Sequence, residues 1–256
     1  MLARRLIAGA NNGSFHPSDL FANGEEGGSW IPAETSTLWQ DTAATTAVSA
    51  DGDPVQRIDD ISGNGNHLTN ASTPPTYKTA SSLHWLLFDG VDDYLVSGTL
   101  GSNVMTGSGF MCVAVSNDNA NEVGIALLEE GVSNSQKRVY VASDTRTSKR
   151  FYYYGPDTTN RYLDRDSELD TDVHVLSAEN DADAHSAYTD SGAESGSISS
   201  SATFGESTRI SMGRQTYSGG SLYLDGNMYG ALIIDRALTS AEQTNLENYF
   251  AALAGL

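Results

Sequence analysis

Three aspartates, Asp89, Asp92 and Asp93, stand within five residues of one another, directly after an apolar run. Carboxylate oxygens are the hard ligands that calcium prefers. Further oxygens lie upstream in a glycine-rich stretch, where we include Asp60 and Asn64. These five residues form our predicted calcium site. A second interpretation stays open, because Asp and Asn side chains in loops also hydrogen-bond the nearby backbone.

Several aromatic residues could contact a sugar, since an aromatic ring offers an apolar face with a polar edge. We predict this role for Trp30, Trp39, Tyr152 and Tyr154. Alternate residues of a strand face the same way, so Tyr152 and Tyr154 share one face. Ordinary core packing is the competing interpretation for each ring.

The segments that must position these residues read as short strands joined by turns. The chain contains 25 glycines and 39 % hydrophobic residues. Apolar runs at 110–115 and 123–128 predict central strands, buried on both faces. Asp-Gly pairs at 89–90 and 225–226 each predict a tight hairpin turn. Evenly spaced strands without intervening helices indicate an all-β sandwich or barrel.

The two ends of the chain depart from this pattern. Thr239 and Glu242 form a capping box, and apolar residues then recur at helical spacing, which predicts a short amphipathic C-terminal helix. Residues 1–24 show little periodicity, so we expect an N-terminal extension, either flexible or a docking arm. Residues 25–256 then form one domain.

The charge balance excludes some partners. A formal charge of −19 repels phosphate backbones, so we predict no nucleic-acid binding.

No apolar run approaches the roughly 20 residues of a membrane span, and the apolar stretch after Arg5 is too short for a secretory signal. Cys112 is the single cysteine, so no internal disulfide forms, and its apolar surroundings predict burial.

Three stretches together resemble the concanavalin A-like, laminin-G-type jelly rolls: 60–67, 87–94 and 226–242. They occur in the order of that family and span most of the chain. The resemblance implies two packed antiparallel sheets, often with a calcium site and a concave surface that faces carbohydrate.

A narrower resemblance lies upstream. The stretches 20–27, 36–41 and 60–65 are similar to bacteriophage virion proteins that carry this domain, although the Trp30 region departs from their pattern. This resemblance implies a component of capsid or tail, assembled in the host cytoplasm. It also implies other virion proteins as partners and an oligomeric arrangement on the particle.

Retaining glycosidases of the jelly-roll type carry paired glutamates around an aspartate on one strand, with the acid and the nucleophile about 5 Å apart. Glu168, Asp170 and Asp172 are the nearest match here. The third residue is a shorter aspartate, and the surrounding residues are typical of a solvated loop.

We therefore predict a non-enzymatic virion protein that binds glycans on a host surface or in the environment. A glycan-degrading enzyme that uses Glu168, Asp170 and Asp172 is the alternative. A secreted lectin is a third hypothesis, which the missing signal sequence disfavours.

Overall fold

The computed structural model describes residues 15–119, 123–134, 137–144, 150–155, 161–164, 166, 169–181, 184–194, 198–199, 203–217 and 220–256. Within these ranges the chain is nearly all β. In chain order the strands are β1 (Gly27–Trp30), β2 (Leu38–Trp39), β3 (Arg57–Ile58), β4 (Leu68–Thr69), β5 (Thr76–Ala80), β6 (Leu83–Asp89), β7 (Leu95–Val96), β8 (Ser108–Val115), β9 (Val123–Gly131), β10 (Arg138–Asp144), β11 (Arg150–Gly155), β12 (Arg161–Asp164), β13 (His174–Asp181), β14 (Ala184–Thr189), β15 (Gly192–Ala193), β16 (Ile198–Ser199), β17 (Thr208–Met212), β18 (Arg214–Tyr217), β19 (Gly220–Tyr223) and β20 (Asp225–Ile234).

These strands form two antiparallel sheets and one hairpin, which confirms the predicted two-sheet sandwich. The first sheet has the order β15-β14-β13-β8-β20-β6-β5, with β1 paired to β20 and β16 paired to β14. The second sheet has the order β12-β11-β10-β9-β17-β7-β4-β3-β2. Strands β18 and β19 form a separate two-stranded hairpin.

The main core lies between the two sheets, where apolar side chains alternate inward from both. The predicted central strands β8 and β9 supply much of it, because nearly all of their described residues are buried. Core residues from the first sheet include Trp30, Leu86, Phe88, Met111, Val113 and Ile233. Core residues from the second sheet include Leu38, Ile58, Leu68, Leu95, Leu127, Val139 and Ile210.

A helix covers the outer face of the first sheet. Helix α1 (Ser240–Leu253) begins at the predicted capping box of Thr239 and Glu242 and buries Leu246 and Phe250. A second apolar cluster forms there, in which Phe250 packs with Phe110, the buried Cys112 and other residues of β8 and β20. The predicted C-terminal helix and the burial of Cys112 are therefore confirmed.

Part of the predicted N-terminal extension packs against the same face. A 3-10 helix at Pro17–Phe21 is capped by His16, and it buries Leu20 and Phe21 in the cluster beneath α1. Residues 15–24 are thus attached to the sandwich. Residues 1–14 lie outside the described residues. No helix in the described part is both long enough and apolar enough to cross a membrane.

The hairpin predicted at Asp89-Gly90 is wrong. Strand β6 belongs to the first sheet and β7 to the second, so the turn carries the chain from one sheet to the other. Gly90 has the positive φ of +72° that favours glycine, which is the signal that we interpreted as a hairpin turn. A local turn signal does not distinguish a hairpin from a crossing between sheets.

The hairpin predicted at Asp225-Gly226 is also wrong. Both residues belong to the continuous strand β20, where they pair with Asp89 and Phe88. A Cβ at Gly226 would lie 2.1 Å from the backbone oxygen of Ser116. The glycine is therefore required by the close approach of another strand and not by a turn.

We predict that Phe250→Ala lowers the free energy of unfolding by about 3–5 kcal/mol, because it leaves a cavity between α1 and the first sheet. Urea denaturation followed by circular dichroism measures this loss. Asn245→Ala, on the exposed side of the same helix, is the control and should change stability by less than about 0.5 kcal/mol. A loss below about 1 kcal/mol for Phe250→Ala would contradict the packing described here.

Candidate functional site

The crossing from β6 to β7 brings together three of the predicted calcium ligands. Ligand oxygens of Asp89, Asp92 and Asp93 lie within 4.8 Å of one another. Backbone hydrogen bonds shape the loop: Asp89 Oδ1 accepts from the N–H of Val91 (2.8 Å) and of Asp92 (3.2 Å), and the N–H of Asp89 donates to Asp93 Oδ2 (3.1 Å). This donor set could hold a metal ion.

Asp93 differs electrostatically from its two neighbours. Asp89 and Asp92 are exposed, whereas Asp93 is buried. Burial, together with the negative charges of Asp89 and Asp92, raises the pKa of Asp93 to about 7. A carboxyl group of this kind holds a proton near neutral pH, and a bound cation would remove the repulsion that keeps the proton in place.

The other two predicted calcium ligands lie elsewhere. Asp60 Oδ1 accepts from the N–H of Ser29 (3.0 Å), which pairs with Leu232 near the end of β20. Asp89 pairs with Asp225 at the beginning of β20. Seven residues of strand separate the two places, which is about 24 Å at about 3.4 Å per residue.

Asp60 and Asn64 act there as turn caps. Asp60 also accepts from Ser62 and Asn66, while the Asn64 amide donates to two backbone carbonyls of the β1 region. These contacts match the capping interpretation of the glycine-rich stretch. The structure therefore does not gather the five predicted ligands around one ion.

The outer face of the second sheet carries a row of described side chains, one from each of eight of its nine strands. Their inward neighbours are the core residues named above, so the row faces away from the first sheet. In register order the row is Trp39, Arg57, Thr69, Val96, Ser211, Leu128, Tyr140 and, across β11, Tyr162.

At the β2 end of this row, polar groups converge on one carboxylate. Asp59 Oδ2 accepts from Trp39 Nε1 (2.7 Å), and Asp59 Oδ1 accepts from Arg57 Nε (2.6 Å). The ring of His67 lies beside it, with its Nδ1 3.0 Å from Asp59 Oδ1. All four side chains are partly exposed, so Asp59 fixes an aromatic ring and a guanidinium group at the surface.

The hairpin β18–β19 lies across the middle of the outer face. Leu222 packs on the apolar cluster formed by Leu128 and Tyr140 with their neighbours on β9 and β10. At the base of the hairpin, the guanidinium carbon of Arg214 lies 3.5 Å from the centre of the Tyr94 ring. Tyr94 directly precedes β7, and it therefore joins the acidic loop to this face.

The hairpin leaves a strip of partly exposed side chains between its base and the β2 edge. We call this the outer strip, and it consists of Trp39, Arg57, Thr69, Val96 and Tyr94. From β2 to β7 it crosses three strand spacings of about 4.8 Å, which gives about 14 Å. An aromatic ring lies at each end.

The predicted aromatic ligands divide between these surroundings. Trp39 lies on the outer strip. Trp30 is fully buried in the core, with its Nε1 donating to the carbonyl of Asn66 (3.1 Å), so its ring is not available to a sugar. Tyr152 and Tyr154 pair in register with Val141 and Val139, and their side chains lie outside the described residues.

The two described residues of the alternative catalytic group, Asp170 and Asp172, do not lie on a strand. Asp170 and Asp172 belong to the loop before β13, and Glu168 lies outside the described residues. Asp170 Oδ1 lies 3.0 Å from His174 Nε2, and this contact lowers the pKa of the Asp170 carboxyl. Asp170 and Asp190 hold His174 from both sides, which is a structural role for this acid.

Comparisons with known proteins give structural likeness alone. No protein-family model matches the chain, and no curated protein sequence matches it. Domain 4 of AbnA, a GH43 extracellular arabinanase from Geobacillus stearothermophilus solved with arabinotriose, is similar at a TM-score of 0.62 and 11 % identity. The match covers 90 % of this chain and 98 % of that domain.

Two further similar structures are whole enzymes. A GH54 α-L-arabinofuranosidase matches at a TM-score of 0.64 and 13 % identity, over 94 % of this chain and 66 % of its own. The Trypanosoma rangeli sialidase matches at a TM-score of 0.56 and 12 % identity, and the match covers 89 % of this chain and 33 % of the sialidase chain. The chain therefore spans about a third of the sialidase and about two thirds of the arabinofuranosidase.

These comparisons correct our prediction of a non-enzymatic protein. The similar structures include a sialidase, an arabinofuranosidase and one domain of an arabinanase, so a fold of this kind occurs in enzymes and does not support a non-enzymatic role. At such low identity the likeness establishes the fold.

We predict that Asp93→Asn changes how stability depends on pH in a chelator-containing buffer. A raised pKa means that folded Asp93 keeps its proton while the unfolded chain loses it, so wild-type stability falls as pH rises from about 4 to about 7. The asparagine variant lacks this fall. Between pH 4 and pH 8, the free energy of unfolding of this variant should therefore rise by about 2–4 kcal/mol relative to that of wild type.

Urea denaturation at both pH values measures this gain. Asp92→Asn is the matched control: it removes an exposed neighbour and should reproduce only a small part of the effect. If the free energies of unfolding of Asp93→Asn and wild type differed by the same amount at pH 4 and at pH 8, this would contradict the raised pKa.

Proposed function

We propose that this chain is a carbohydrate-binding β-sandwich domain and that its outer strip contacts the glycan. The observation that carries the proposal is the surface network around Asp59, which fixes the ring of Trp39 and the guanidinium group of Arg57 side by side. An aromatic face flanked by oriented polar groups is a common arrangement in sugar sites.

The dimensions and partners of the strip support this proposal. Its length of about 14 Å suits a short oligosaccharide, and Tyr94 provides a second ring at the far end. Polar hydroxyls of a sugar can donate to Asp59 and accept from Arg57 while an apolar sugar face packs on Trp39. The matched arabinanase domain, solved with arabinotriose, supports the same class of ligand.

The comparisons lend no support to a bacteriophage virion, so the proposal does not extend to capsid or tail. That interpretation depends on sequence stretches near the N-terminus. Glycan binding does not depend on it.

We further propose calcium as the ion for the acidic loop. Three carboxylates within 4.8 Å of one another supply hard oxygen ligands, and backbone carbonyls and water complete the shell that calcium requires. The loop directly precedes Tyr94, so an ion there would fix one end of the outer strip. Protons and calcium would compete for Asp93.

Glycan hydrolysis is a second candidate function, and the same loop favours it. A carboxyl group with a pKa of about 7 beside ionised carboxylates has the properties of a general acid. Its carboxylate oxygens lie within 4.8 Å of one another, inside the roughly 5 Å that separates the two carboxyl groups of retaining glycosidases. In this reaction Asp93 would protonate the leaving oxygen as the glycosidic C–O bond breaks, and Asp89 or Asp92 would form an ester with the sugar carbon. Water would then hydrolyse this ester, which releases the sugar and returns the proton to Asp93.

We predict that Trp39→Ala weakens oligosaccharide binding at least about tenfold, because it removes the aromatic face of the strip. A glycan array that includes arabinotriose selects the ligand, and isothermal titration calorimetry measures the affinity. Trp85→Ala is the matched control, since Trp85 is a partly exposed tryptophan on the first sheet. Equal losses in both variants, or no loss in Trp39→Ala, would refute the assignment to the outer strip.

We predict that the acidic loop responds to one of two assays, both of which depend on Asp93. If it holds calcium, 1 mM calcium raises the melting temperature of wild type but not of Asp93→Asn. If it catalyses hydrolysis, wild type releases reducing sugar from the selected glycan with chelator present, and Asp93→Asn does not. A wild type that shows neither effect would contradict both proposals for the loop.

A further inference from the structure

Arginines are concentrated on the outer face of the second sheet, although the chain is strongly acidic. The side chains of six arginines are described, at 57, 138, 161, 209, 214 and 236. Four of these, Arg57, Arg138, Arg209 and Arg214, lie on that face or on the hairpin that crosses it. Since the formal charge of the chain is −19, this concentration marks the face as electrostatically distinct.

Neighbouring groups hold three of these guanidinium groups in place. Arg57 is bonded to Asp59, and Arg209 is bonded to Glu130 through both Nε (2.9 Å) and Nη2 (2.8 Å). The guanidinium carbon of Arg214 lies over the Tyr94 ring instead, 3.5 Å from its centre. Its Nε is buried without a hydrogen-bond partner. A stacked guanidinium keeps the donors at its edge oriented for a planar anion.

Glu130 supplies a second unsatisfied group on the same face. It is 1 % exposed, its Oε1 accepts from Arg209 and Ser211, and its Oε2 has no partner. A buried acceptor and a buried donor without partners each cost free energy in the unliganded chain. Glu130 lies on β9 of the outer face and Arg214 on the hairpin that crosses this face, and both unsatisfied atoms are buried.

We propose that the glycan recognised by this face carries carboxylate groups, as uronic-acid sugars do, and that Arg214 binds the carboxylate. Arg214 forms paired N–H···O bonds with it at the Tyr94 end of the outer strip, while Trp39 packs on a neighbouring sugar. The proposal deepens the carbohydrate-binding function and rests on it.

The acidic loop works against an anionic ligand, because Asp89, Asp92 and Asp93 lie next to Tyr94 in the chain. Calcium in that loop would offset this charge. The binding experiment is therefore performed in calcium-containing buffer at pH 7.5.

The decisive probe is a pair of ligands, trigalacturonate and its fully methyl-esterified form, in which a neutral methyl ester replaces each carboxylate. We expect wild type to bind the acid at least about tenfold more tightly than the ester. Raised salt should weaken the binding of the acid but not that of the ester. Equal affinity for both ligands, or tighter binding of the ester, would overturn the proposal. Binding of neutral oligosaccharides without any binding of trigalacturonate would overturn it as well and leave the carbohydrate-binding function intact. If no glycan bound at all, the carbohydrate-binding function itself would be refuted.

Variants then locate the carboxylate. Arg214→Gln should lose about tenfold in affinity for the acid and almost nothing for the ester, and Arg214→Lys should lie between. Lys78→Gln, which removes one positive charge from the first sheet, is the matched control and should bind like wild type. A preference for the acid that survives in Arg214→Gln would overturn the role of Arg214. If that variant melts at a lower temperature than wild type, the salt dependence of wild type and of Arg214→Lys decides the question.

Discussion

The first sheet packs on the second sheet on one side and on α1 on the other, and this cover limits where on the first sheet a ligand can bind. Its inner face packs on the second sheet, and its outer face is covered by α1 through Leu246 and Phe250. A buried hydrogen bond from the Ser177 hydroxyl to Glu247 (2.6 Å) ties the helix to β13. The 3-10 helix near the N-terminus extends this cover. On the outer face of the second sheet, the hairpin β18–β19 packs over Leu128 and Tyr140, and the side chains of the outer strip stay partly exposed.

Local sequence signals predicted most of the elements but few of the pairings. The capping box at Thr239 and the apolar runs of β8 and β9 act within a few residues, so the sequence predicted the helix and the central strands correctly. The two Asp-Gly pairs failed because a positive φ is needed both at Gly90, where the chain changes sheets, and in a true hairpin. At Gly226 the cause is the backbone of Ser116, more than a hundred residues away.

The candidate site shows the same division between local and distant information. Asp89, Asp92 and Asp93 are neighbours in the chain, and their grouping was predicted. The contact between Tyr94 and Arg214 joins residues 120 positions apart, and no pattern of spacing indicates it. The sequence did not indicate that Asp59 is a partner of Trp39, although Trp39 lies in β2 and Asp59 directly follows β3, the strand that pairs with β2. The sequence did show that Asp59 directly follows Arg57 and Ile58. To infer its contact with Trp39 from this, one must also know that β3 pairs with β2.

The three tryptophans of the chain provide the most direct test, because each occupies a different environment. Trp39 lies on the outer strip, Trp85 on the first sheet, and Trp30 in the core. In a heteronuclear NMR titration with a bound oligosaccharide, the indole N–H signal of Trp39 should shift and saturate, while those of Trp30 and Trp85 stay in place. A saturating shift of Trp85 with Trp39 unchanged would place the ligand on the first sheet and contradict the account.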